Sequence, residues 1–156
     1  MLLKSVFCCI MFLIGGFMQN TQITTFPDWF QQANKVSVFH NGQQIVFEKD
    51  ADNFVSVIET LQQTTNGAHD MPAFSVSLDS ETRQELSNGV WLELCFANTN
   101  TFNELPFDAL LFKLQSEDCG MNVIRKHNGK YEGRCFYLNL QNDCEELYRL
   151  VESLFS

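Results

Sequence analysis

Few residues in this chain have side chains suited to chemistry. There are three histidines, His40, His69 and His127, and six cysteines. Four of the cysteines, Cys95, Cys119, Cys135 and Cys144, lie outside an apolar N-terminal run. His40 and His127 each precede an Asn-Gly pair, which places both at hairpin tips, and His69 falls in a polar loop. Shared metal binding by His40 and His127 requires those tips to converge, and nothing in the sequence forces that. No CxxC or CxxC…HxxxH spacing occurs, so neither a structural zinc site nor any other metal is indicated. A cysteine nucleophile needs a base within hydrogen-bond reach. Cys135 and His127 share a hairpin, yet the expected register sets Cys135 opposite Asn122, several rungs from the tip. Acidic neighbours such as Glu145-Glu146 point apart and read as solvated surface. Phosphate-loop, Rossmann, HExxH and GxSxG patterns are absent, so no cofactor and no enzyme class is indicated.

One cluster stands out. Arg125, Lys126, Lys130 and Arg134 fall within ten residues of an otherwise acidic chain. Tyr131, Tyr137 and, farther off, Trp91 are expected on the sheet face opposite the core. Basic and aromatic groups together suit an anionic glycan, a carboxylate-bearing peptide or an acidic protein surface. Two bland alternatives compete. The hairpin is an edge kept soluble by charge, or helices cover the aromatics as a second core layer.

The address is written at the start. Lys4 precedes an uninterrupted apolar or Gly run from Val6 to Met18, and polar sequence begins at Gln19. That is the pattern of a signal peptide, and the run falls short of the about 20 apolar residues of a membrane span. Gly15 and Gly16 make a poor cleavage site, so residues 1–20 read as a signal peptide or an N-terminal anchor. A membrane contact arises only through 1–20 if the leader is retained. Losing Lys4 takes the formal charge from −9 to −10, which disfavours nucleic acid as a partner. In an exported chain the four remaining cysteines allow three disulfide pairings, with four free thiols as the alternative.

Residues 21–34 read as a tether with a short helical turn, and 35–156 as a single domain. Lys35–His40 and Gln43–Glu48 flank Asn41-Gly42, a type I′ hairpin signal. Its register sets Val38 opposite Ile45, Val36 opposite Phe47 and Lys35 opposite Glu48. Phe54, Val57, Ile58 and Leu61 recur at helical spacing, with Asp50 or Asp52 as cap. Phe74, Val76 and Leu78 alternate as a short strand, and Asp79–Leu86 is a brief helical segment. Val90–Phe96 alternates as a strand, Ala97–Pro106 is turn-rich, and Phe107–Leu114 reads as a central strand. Met121–His127 and Lys130–Leu140 form a second hairpin about Asn128-Gly129. It pairs Arg125 with Glu132 and Met121 with Phe136, provided Gly133 introduces no bulge. Asp143 caps a last helix with an apolar stripe of Leu147, Leu150, Val151 and Leu154. The fold class is therefore α+β: an antiparallel sheet of two Asn-Gly hairpins plus central strands, with two main helices packed on it. The expected function is a non-enzymatic extracytoplasmic binding module. The rival is a small hydrolase-like or thiol-dependent enzyme with a site assembled from distant residues.

Overall fold

The computed structural model describes residues 26–71 and 75–156. The leader at 1–20 and Phe74 lie outside the described residues. A 3-10 helix at Phe26–Gln32 leads into β1 (Ala33–His40), β2 (Gln43–Glu48) and α1 (Asp52–Thr64). Two short strands follow, β3 (His69–Met71) and β4 (Val76–Ser77), and then α2 (Asp79–Glu85). The chain continues through β5 (Val90–Phe102), β6 (Leu105–Leu114), β7 (Gly120–Lys126), β8 (Gly133–Arg134) and β9 (Phe136–Asn139) to α3 (Glu145–Ser153). Seven strands form one sheet in the order β2-β1-β5-β6-β7-β9-β3, while β4 and β8 pair separately. Every pairing is antiparallel, and the architecture is α+β.

Asn41 and Gly42 join β1 to β2 at φ 48° and 84°, the positive pair that a type I′ turn demands. Lys35 then stands opposite Glu48, Val36 opposite Phe47 and Val38 opposite Ile45. The first face of the sheet carries the main core. Val36, Val38, Leu92, Leu94, Leu110, Phe136 and Leu138 meet Phe54, Val57, Ile58 and Leu61 of α1 and Leu147 and Val151 of α3. Leu150, Leu154, Ile45 and Phe47 are partly buried against them. Trp29 and Phe30 of the 3-10 helix dock on the same face. The Trp29 ring lies 4.9 Å from that of Phe102, and the Phe30 ring 5.8 Å from that of Phe112.

The helix starts correct one expectation. Neither Asp50 nor Asp52 caps α1, because Ala51 holds the N-cap position and Asp52 sits in the first turn, where its charge favours the positive helix end. Asp143 does accept a hydrogen bond from the Glu145 backbone N–H at 3.2 Å, although the N-cap position itself falls on Cys144.

Three strand regions also depart from expectation, the first being His69, which lies not in a polar loop but in β3, paired with Asn139 of β9. Ala97–Pro106 is largely strand: β5 runs on to Phe102 and turns at Asn103 and Glu104, both at positive φ, into β6. Cys95 stands opposite Ala109 and Asn100 opposite Phe107, so a bulge on β5 sits across from Asp108. The second hairpin starts as expected, with His127 bridged to Lys130 around Asn128-Gly129. It then slips by two residues. Arg125 does not pair with Glu132, Met121 stands opposite Leu138, and Asn122 opposite Tyr137, not Cys135. The cause is a bulge at Gly133, φ 96°, where Gly133 and Arg134 leave the ladder to pair with Ser77 and Val76.

Candidate functional site

The bulge and α2 close over the second face of the sheet. Phe39, Trp91, Leu111 and Tyr131 form a second apolar cluster there, with Leu86 and Ile124 packed against it. Trp91 and Tyr131 are therefore core residues, not an exposed aromatic surface; the second core layer is the arrangement present. The Trp91 indole N–H donates to the Asn88 carbonyl at 2.8 Å, and the Lys113 ammonium stands 5.1 Å above its ring.

At the centre of this face lies Glu93, only 3% exposed. Its carboxylate accepts hydrogen bonds from the Tyr131 hydroxyl and from the Cys95 thiol, the latter at 3.2 Å. Lys126 Nζ stands 3.4 and 3.5 Å from the two carboxylate oxygens, and donates to the Tyr131 hydroxyl at 3.2 Å. The pleat explains the grouping. Lys35, Cys95, Ala109 and Lys126 occupy one rung of the second face, and Ser37, Glu93, Leu111 and Ile124 the next. Tyr131 arrives from the bulge, held by its backbone N–H to Asp79 Oδ1 at 2.8 Å. Arg83 of α2 completes the cover. It pairs with Asp79 at 2.9 Å, donates to the Gly129 carbonyl at 2.7 Å and lies 5.2 Å from the Tyr131 ring centre.

Electrostatics makes this cluster a lock and not an activated centre. Burial, and then the Glu93 charge, pushes the Cys95 thiol up to about 12. The same two causes, in the same order, drive the Tyr131 phenol far above its ordinary value. Both groups therefore stay protonated at neutral pH, and neither is a ready nucleophile or base. Arg83, followed by the Tyr131 N–H, holds Asp79 below the usual carboxylate range.

The other expected site residues scatter. Arg125 is 7% exposed and sits on the core face of β7, opposite Leu110. Its Nε donates to the Arg134 carbonyl at 2.8 Å and its Nη1 to the Pro106 carbonyl, so the bulge wraps around it. Lys130 and Arg134 are exposed, and Lys130 Nζ stands 3.9 Å from Glu132. Tyr137 is half-buried and packs over Gly120, leaving no room for a Cβ there. Cys95, Cys119, Cys135 and Cys144 are all free thiols, with Cys119 exposed and Cys135 and Cys144 buried. His40 and His127 lie at opposite ends of the sheet. His40 stands beside Val90, whereas His127 Nδ1 lies 3.2 Å from Asp108 Oδ2, off the line of a hydrogen bond. Asp108 also accepts from the Thr99 hydroxyl and from the Asn128 N–H at 2.8 Å. The Thr99 contact, more than any other, lowers its pKa.

Two of the open depressions among the described residues bear on these groups. One, of about 280 Å³, runs between β4, α2 and the second face, floored by Trp91, Ile124 and Cys135. The other, of about 410 Å³, lies at the tip of the second hairpin. Sequence reasoning missed Glu93 as a site residue, though its place as the one charge within the otherwise apolar stretch Val90–Phe96 was the available signal. Among the described residues no helix is long and apolar enough to cross a membrane. No family profile, no curated protein and no solved structure matches this chain.

Proposed function

We propose that this chain is an exported, non-enzymatic binding module that takes an apolar side chain of a protein partner into the groove between β4, α2 and the second face of the sheet. The observation that carries this reading is the groove's lip. Val76 is 68% exposed and Leu78 52%, two of the four large apolar residues standing in solvent among the described residues, and both line this one depression. Apolar residues gathered on a concave, polar-rimmed surface mark recognition sites. The rim is supplied by the Lys113–Glu85 ion pair at 3.1 Å and by Glu81. At about 280 Å³ the space suits one or two side chains more than a large solute. The protonated state of Cys95 and Tyr131 works against a thiol-dependent site at the Glu93 cluster. Export rests on the Lys4 lead and the apolar run to Met18.

Peptides selected from a displayed random library against the protein test the reading. The expected binders carry a bulky apolar anchor and lose at least tenfold in affinity to V76D/L78D. Burying one such side chain contributes about 1.5–3 kcal/mol, which is about tenfold to a hundredfold. Binders that hold V76D/L78D as tightly as the natural protein would show that recognition lies elsewhere. Cell fractionation tests the address separately, with cytoplasmic full-length protein as the contrary result.

A further inference from the structure

Arg125 is a buried cation without an anion. Among the described residues no carboxylate forms an ion pair with it, and its hydrogen bonds go only to the carbonyls of Arg134 and Pro106. Desolvating a charge is costly unless an opposite charge compensates, and two neutral dipoles compensate it only in part. A guanidinium has five N–H donors in a planar fork. Two are engaged, and Nη2 carries neither bond; it lies beside Gly133, where a Cβ would stand 3.0 Å from it. Arg125 also lines the depression at the hairpin tip, together with Pro106, His127, Asn128, Lys130 and Glu132.

We infer that this depression is a binding site for a small oxyanion, a carboxylate or phosphate group, drawn there by the incompletely compensated Arg125 guanidinium that lines it. Lys130, exposed at the rim and 3.9 Å from Glu132, adds a second cation. The Asp108 carboxylate is already occupied by Thr99 and Asn128 and faces His127 instead of the guanidinium. Charge-assisted bonds to a planar fork give such a contact its strength and its geometry. The site is separate from the groove under Val76 and Leu78, and stands or falls independently of it.

The test titrates inorganic phosphate, acetate and, as control, chloride into the full protein at constant ionic strength, following the Arg125 side-chain Nε–H by NMR. Phosphate or acetate should shift that resonance saturably with a millimolar dissociation constant, and chloride should not. The melting temperature should rise with the same saturating dependence. Replacing Arg125 breaks the bulge, so the deciding variant is K130Q. It should weaken binding severalfold with the unliganded melting temperature unchanged, because exposed charges contribute little to stability. Shifts that grow linearly with all three anions, or saturable binding that K130Q leaves untouched, would overturn the assignment.

Discussion

Replacing Lys126 with Met tests whether the second face is held by a buried charge or merely decorated with one. Lys126 Nζ lies 3.4 Å from a Glu93 carboxylate oxygen. At an effective dielectric of about 20 that separation corresponds to about 5 kcal/mol of attraction. The Lys126 side chain is 27% exposed, so solvent screens part of it, whereas the Glu93 side chain is 4% exposed and has little access to water. Roughly half of the attraction should survive as a net loss, about 2–3 kcal/mol, with Glu93 left on the Tyr131 hydroxyl and the Cys95 thiol. An unfolding entropy of about 2.1 cal/mol/K per residue converts this to a fall in melting temperature of about 7–10 °C. Urea denaturation should show the loss at an unchanged slope. E93Q/K126M should recover at least about 1 kcal/mol, because the neutral amide still accepts from Tyr131 and no unpaired charge remains buried. A K126M variant within about 0.5 kcal/mol of the natural protein would refute the reasoning, since that is how an exposed ion pair behaves.

Alkylation at pH 8 should modify the exposed Cys119 first and leave Cys95 and Cys144 intact, as burial raises those thiols to about 12 and about 11; rapid modification of Cys95 by mass spectrometry would contradict the burial argument. The same shift sets an alkaline limit. Cys95 rises from its ordinary value of 9.0 to about 12, so between these pH values the folded thiol keeps a proton that the unfolded one has lost. Stability should therefore decline from about pH 9 upward, and C95A should flatten that slope. Gly133→Ala should cost about 1–3 kcal/mol, because φ 96° strains an L residue and the added Cβ meets Arg125; an unchanged melting curve would mean that the bulge yields freely.

What was legible in the sequence is what neighbours decide. The Asn41-Gly42 turn fixes the pairing of Val38 with Ile45 because two residues leave the strands no other register. The stripe of Phe54, Val57, Ile58 and Leu61 needs only helical spacing to find the core. The turn-rich reading of Ala97–Pro106 holds only at Asn103-Glu104, which reaches positive φ without glycine, while the polar residues before it continue β5. The slip after Lys130 has a distant cause: Gly133 and Arg134 pair with Ser77 and Val76, more than fifty residues away. Burial of Trp91 and Tyr131 was hidden for a related reason. Their cover, α2, is a polar heptamer with no apolar stripe, and it holds its place through Arg83, Asp79 and Thr82.

The basic cluster shows how a run of like charge is divided among separate environments. Alternation along β7 sends Arg125 to the core face with Met121 and Val123, and Lys126 to the second face with Ile124. That parity was available as soon as Met121 was placed in the core, since positions 121, 123 and 125 share one side of a strand. Lys126 then neutralises Glu93, and Arg125 is left to hydrogen-bond the bulge, while Lys130 and Arg134 stay in solvent. A cationic patch would attract any acidic surface. Division by the pleat produces something more selective: an internal ion pair that fixes Tyr131 under α2, and one desolvated guanidinium lining the depression at the hairpin tip. The structural role of Lys126 and the recognition role inferred for Arg125 thus come from adjacent residues, and a one-residue shift of strand register would exchange them.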